Sequence, residues 1–125
     1  MNSYDPLKTP DAGQWLALGE QERMLLVEKY HKKARIAMPN HIVHASMHAV
    51  VENQLAEGIP IVKEVLSRLM GEGLDRHEAL HAIASVMTKH IYDALRGDQP
   101  DGNLGDQYLQ ELRTFTKADW LKSNH

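Results

Sequence analysis

The residues of this chain best suited to do chemistry are its histidines. Of the 8 in the sequence, five stand in two short clusters, His41, His44 and His48, then His77 and His81. The second cluster lies in Arg76-His77-Glu78-Ala79-Leu80-His81-Ala82 and spells H-E-x-x-H. On a helix this pattern places two imidazoles one turn apart on one face. There they can hold a metal ion while the intervening glutamate acts as general base. A metalloprotease also needs a third ligand, a position open to water and a groove for an extended peptide. His44, His48 or Glu52 can supply the ligand, but no alternating strand pattern is present to align a peptide. A metal-dependent hydrolase is therefore the weakest of the metal readings.

The first cluster uses the same device. At about 100° per residue, His41, His44, His48 and Glu52 fall within one helical sector of about 80°. The remaining surface of that stretch carries Ile42, Val43, Met47 and Val50. A helix that is apolar nearly all round is a buried helix, so this polar stripe is expected to be buried. Buried imidazoles and a carboxylate need partners: each other, water or a metal ion.

The elements that must position these residues are all helices. Thr9-Pro10 reads as a cap with proline at the first helical position, opening a short helix to Leu18. A second helix is expected from Glu20 to about residue 35, with Met24, Val27, His31 and Ala34 as its apolar stripe. Pro39-Asn40 breaks the chain, and a third helix follows from His41 to about Glu57. Pro60 opens a fourth, to about Glu72, with Val62, Val65, Leu66 and Leu69 inward. Asp75 caps a fifth and longest helix, to about Arg96. Its histidine face continues through the small residues Ala84, Ser85 and Thr88. Residues 97–105 read as a loop. A last helix from about Asp106 carries Tyr108, Leu109, Leu112 and Phe115, and Thr116 to Lys122 adds a final turn. The expectation is all-α: a single-domain helical bundle of five or six helices over 1–125.

Short connections make successive helices antiparallel, so the third and fifth are expected to run parallel. His44 and His48 lie four and eight residues beyond Asn40. His77 and His81 lie two and six beyond Asp75. At about 1.5 Å per residue the two pairs differ in height by roughly 3 Å. Four imidazoles can then converge, with Glu52 as ligand or charge-balancing partner. Such a nitrogen-rich site suits a divalent transition metal such as zinc, iron or nickel. The positive end of each helix disfavours imidazolium, which leaves the histidines neutral, the ligating form. Asp75 with Glu78 three residues on resembles a capping box. Glu78 is therefore read first as a helix cap or an orienting partner of a histidine. His31 and His90 stand alone on their helices and read as core or interface residues.

Composition narrows the partners. The chain has 125 residues, a net charge of −3 and no cysteine. Disulfides, iron–sulfur clusters and thiolate zinc sites are excluded. No basic stripe points to nucleic acid, and no stretch approaches the roughly 18 apolar residues of a membrane span. A cytoplasmic protein without nucleic-acid or membrane partners is expected. A homodimer stays open, and no small-molecule substrate is indicated.

Four stretches carry a family resemblance. They are His44-Ala-Ser-Met-His48-Ala-Val-Val-Glu52-Asn-Gln54-Leu55, Arg68-Leu69, His77-Glu78-Ala79-Leu80-His81-Ala82-Ile83 and Ile91-Tyr92-Asp93-Ala94. Together they resemble a bacterial family known as domain of unknown function 1841, over roughly residues 39–113. Residues 1–38 fall outside the resemblance. No activity comes with that family. The resemblance implies only that the two histidine clusters belong to one signature. The reading that results is a metal site formed by His44, His48, Glu52, His77 and His81, with Glu78 and Asp75 at the cap. The alternative is a metal-free interaction or structural protein with a buried histidine–glutamate network. Whether the chain is an enzyme is not decided by its sequence.

Overall fold

The computed structural model describes residues 1–33, 41–95, 97 and 104–123; residues 41–44, 104 and 123 are described by their backbone alone. The described residues form seven α-helices and no strand. They divide into two compact units, Met1–Ile59 and Pro60–His125, and the boundary falls at the Gly58 turn rather than in a linker.

The first unit contains α1 (Ala12–Ala17), α2 (Glu20–Lys33) and α3 (His41–Ala56). The α1 cap is Asp11, whose carboxylate accepts the Gln14 N–H at 2.9 Å. The sequence pattern favoured Thr9 with Pro10 at the first helical position. A carboxylate at the positive end of the helix is the stronger acceptor, and the helix starts two residues later than expected. Arg23 of α2 closes the other end of α1: its Nε donates to the Trp15 carbonyl at 3.1 Å and its Nη2 to the Leu16 carbonyl at 2.9 Å. Arg23 Nη1 and Trp15 Nε1 also share Asn53 Oδ1 of α3, at 2.9 and 2.8 Å. One arginine and one asparagine thus tie three helices together. The core beneath them is Tyr4, Trp15, Leu26, Val27, Ala45 and Ala49. Trp15 and Val27 are fully buried, each worth about 1.5–3 kcal/mol of transfer from water. Gly58 ends α3 at φ +78, where the Ile59 N–H reaches back to the Gln54 carbonyl at 3.1 Å.

The second unit contains α4 (Pro60–Gly71), α5 (Arg76–Leu95), α6 (Leu104–Thr114) and α7 (Lys117–Ser123). Val62, Val65 and Leu69 of α4 are buried, as their spacing predicts, and Leu66 is half-buried. Gly73 at φ +114 turns the chain between α4 and α5. The Leu74 N–H bonds the Leu69 carbonyl and the Gly73 N–H the Met70 carbonyl, at 3.2 and 3.1 Å. α5 buries Ala79, Leu80, Ala82, Ile83 and Val86. α6 buries Tyr108 and Leu112, and Phe115 is buried just beyond it. The expected final turn is a seven-residue helix, α7. Its start is fixed by a reciprocal pair: Thr116 N–H to Asp119 Oδ2 at 3.0 Å, and Asp119 N–H to Thr116 Oγ1 at 3.2 Å. Arg68 of α4 donates to the Leu112 and Phe115 carbonyls and pairs with Glu72 at 2.9 Å. Glu72 in turn accepts the Lys117 N–H at 2.8 Å. The end of α4 therefore holds the corner between α6 and α7. That backbone bond from Lys117, then the Arg68 side chain, holds the Glu72 carboxyl below its usual range.

Candidate metal centre

In the first unit the site is built around α3. His48 and Glu52 lie one turn apart and are almost completely buried, at 0% and 1% exposure. The burial expected from the apolar surroundings of this stripe is therefore present. Its satisfaction comes from a residue the sequence did not single out. The Tyr4 hydroxyl lies 2.7 Å from His48 Nε2 and donates to Glu52 Oε2. Tyr4 is itself buried, with its ring 5.4 Å from Trp15 and 5.5 Å, edge-on, from His48. The N-terminal segment is thereby pinned onto α3. Nothing in the polar stretch around Tyr4 has a period that would have revealed this.

The second addition is His31 of α2. It lies on the apolar stripe that the spacing defines and was read as a core residue. It is buried, and its ring packs edge-on against His48 at a centroid distance of 5.5 Å. One ring nitrogen of each lies within 4.8 Å of the other. Its Nδ1–H donates to the Val27 carbonyl one turn back at 2.9 Å. That bond fixes the tautomer, so in the neutral ring Nε2 carries the lone pair. Burial lowers the pKa of His31 from the usual 6.5, against the opposing pull of the Val27 carbonyl. The ring is thus biased toward its ligating form. His41 and His44 belong to α3 by their backbone, and their side chains lie outside the described residues.

In the second unit, His77 and His81 stack on one face of α5 with ring centroids 4.1 Å apart and planes at 65°. Both are half-buried, and here too one nitrogen of each lies within 4.8 Å of the other. Zinc–imidazole bonds of about 2.0–2.1 Å put two ligand nitrogens roughly 3.3 Å apart in a tetrahedral site. Each pair is within a rotamer adjustment of that spacing. Glu78 points elsewhere. Its N–H bonds Asp75 Oδ1 at 2.7 Å, and its Oε1 accepts the Asp75 N–H at 3.1 Å, a closed capping box. His90, further along α5, bonds Glu111 at 3.1 Å from Nε2, alongside Lys89. It serves the packing of α5 on α6.

A cleft of about 550 Å³ also lies in the second unit, lined by Ser85, Lys89, Glu111, Phe115, Asp119 and Trp120 among others. Of the small residues that continue the histidine face of α5, Ser85 lines it. None of the paired histidines lines it.

No helix among the described residues is long and apolar enough to cross a membrane. Neither curated proteins nor solved structures give a match to this chain. A family model does match, the domain of unknown function DUF1841, over residues 16–114. The match begins well before the expected residue 39. It takes in α2 with His31, together with both elements that carry the paired histidines, and leaves Tyr4 outside. Covering most of the sequence and both histidine pairs, it places the chain in the DUF1841 family.

Proposed function

We propose that this protein binds a divalent transition metal ion through paired imidazoles, His31 and His48 in the first unit and His77 and His81 in the second. What carries the reading is the repetition of one arrangement. Each unit presents two histidines side by side with ligand atoms within 4.8 Å.

The donor set suits zinc, iron or nickel. A zinc ion whose tetrahedron is closed by protein ligands would be structural. With iron or nickel, which take more ligands, positions remain for a small molecule. Neutral imidazoles bring no negative charge to a buried dication. Glu52, joined to His48 through the Tyr4 hydroxyl, is the buried carboxylate near enough to offset part of it. Glu52 therefore acts as an orienting and charge-balancing group rather than a direct ligand. His44, one turn before His48, is the remaining candidate ligand. The hydrolase reading loses its general base, since Glu78 is engaged at the helix cap.

Elemental analysis of tag-free protein tests this. About one equivalent of a transition metal per chain is expected, or uptake of that amount on addition. Less than about a tenth of an equivalent, with no uptake, sinks the reading. A second reading has its own observation: Tyr4, His48 and Glu52 are joined by hydrogen bonds to one another, an arrangement that a structural role for these buried polar groups also explains. A melting temperature unchanged by added zinc, nickel or iron would favour it.

A further inference from the structure

The Tyr4 hydroxyl has His48 Nε2 and Glu52 Oε2 within hydrogen-bond reach. The hydroxyl has one proton to give, and a carboxylate only accepts. The proton therefore goes to Glu52, and the bond to His48 must be donated by Nε2–H. In the neutral ring the lone pair is then on Nδ1. We infer that Tyr4 and Glu52 are positioning residues that set Nδ1 as the metal-facing nitrogen of His48. This rests on the metal reading above and assigns the ligand atom within it.

The assignment makes His48 the opposite of its neighbour. His31 gives Nδ1–H to the Val27 carbonyl and so offers Nε2. Two rings packed edge-on at 5.5 Å thus present different nitrogens, each fixed by its own partner. Exposure of Tyr4, His48 and Glu52 is 8%, 0% and 1%, which leaves bulk water little access to replace the hydroxyl. The direction of the chain depends on Glu52 being an acceptor only. A glutamine there could donate its amide N–H to the Tyr4 oxygen. Tyr4 would then donate to His48 Nε2, and the His48 proton would move to Nδ1, where it blocks ligation.

Nitrogen-15 NMR of the histidine rings in metal-free protein, with cobalt(II) titration of the same samples, tests the inference. Wild-type His48 is expected as the Nε2–H tautomer. Tyr4→Phe, which keeps the ring against Trp15, should yield mixed tautomers and bind cobalt about 10- to 100-fold more weakly. Glu52→Gln should raise the Nδ1–H population and also weaken cobalt binding. Unchanged tautomer and unchanged cobalt affinity in both variants would overturn the inference. So would an Nδ1–H tautomer in the wild type, a measurement that stands even if a variant fails to fold. A wild type that takes up no cobalt yet holds His48 as Nε2–H overturns the metal reading instead, and leaves the hydrogen-bond direction standing.

Discussion

The two histidine pairs are built to different standards. His31 and His48 are buried, and one ring nitrogen of each is engaged in a hydrogen bond. His77 and His81 are half-buried in the first turns of α5, stacked on each other. The first pair belongs to the packing of its unit as much as to any metal. The second is the more exposed pair, and under the proposed metal reading its role is ligation. Stability and metal affinity should therefore respond differently to the same substitution in the two places.

The largest expected effect is at His48. His48→Ala leaves a cavity beside Tyr4 and His31 and takes a hydrogen-bond partner from Tyr4. It should cost about 2–4 kcal/mol in urea unfolding of the metal-free protein, and abolish metal uptake. His81→Ala should abolish uptake equally, yet cost less than about 1 kcal/mol. Equal stability losses would erase the contrast between the pairs.

Next is Glu52→Leu, which strips the Tyr4 hydroxyl of its acceptor in a buried setting. A loss of about 1–3 kcal/mol is expected, read by the same unfolding curves. A neutral outcome would mean that the network carries no part of the first unit's stability.

A smaller effect separates capping from ligation in α5. Glu78→Gln should lower stability by about 1 kcal/mol or less and leave metal content intact. Metal lost with the fold unchanged would return Glu78 to the site and revive the hydrolase reading.

The smallest is a pH slope. Burial holds the native His31 below the usual 6.5. The unfolded chain therefore takes up that proton first. Stability should fall as pH drops from about 6.5 toward the lowered native value, and level off beneath it. In metal-free protein, His31→Gln should flatten that part of the profile. An unchanged slope would assign it to other groups.

Much of this was legible in the sequence because it rests on local rules. Helical period and cap residues located α3, α4 and α5. Asp75 followed by Glu78 three residues later is a local pattern, and the capping box closes at 2.7 and 3.1 Å. The burial of His48 and Glu52 followed from the apolar residues around them. The start of α1 was misplaced because two acceptors two residues apart, Thr9 and Asp11, competed for one cap. α7 was underestimated because a seven-residue helix depends on its corner being held by Arg68 and Glu72 from 45 residues away.

What the sequence determined by itself is the helical class and the two i, i+4 pairs, since a 3.6-residue period fixes which side chains share a face. Tertiary structure alone decided who stands beside them. His31 reaches His48 because α2 packs on α3, and Tyr4 reaches both His48 and Glu52 because its ring is held against Trp15. Contacts between residues 44 and 48 positions apart leave no period in the chain. They arise from burial, which admits a buried polar group only when another arrives to satisfy it.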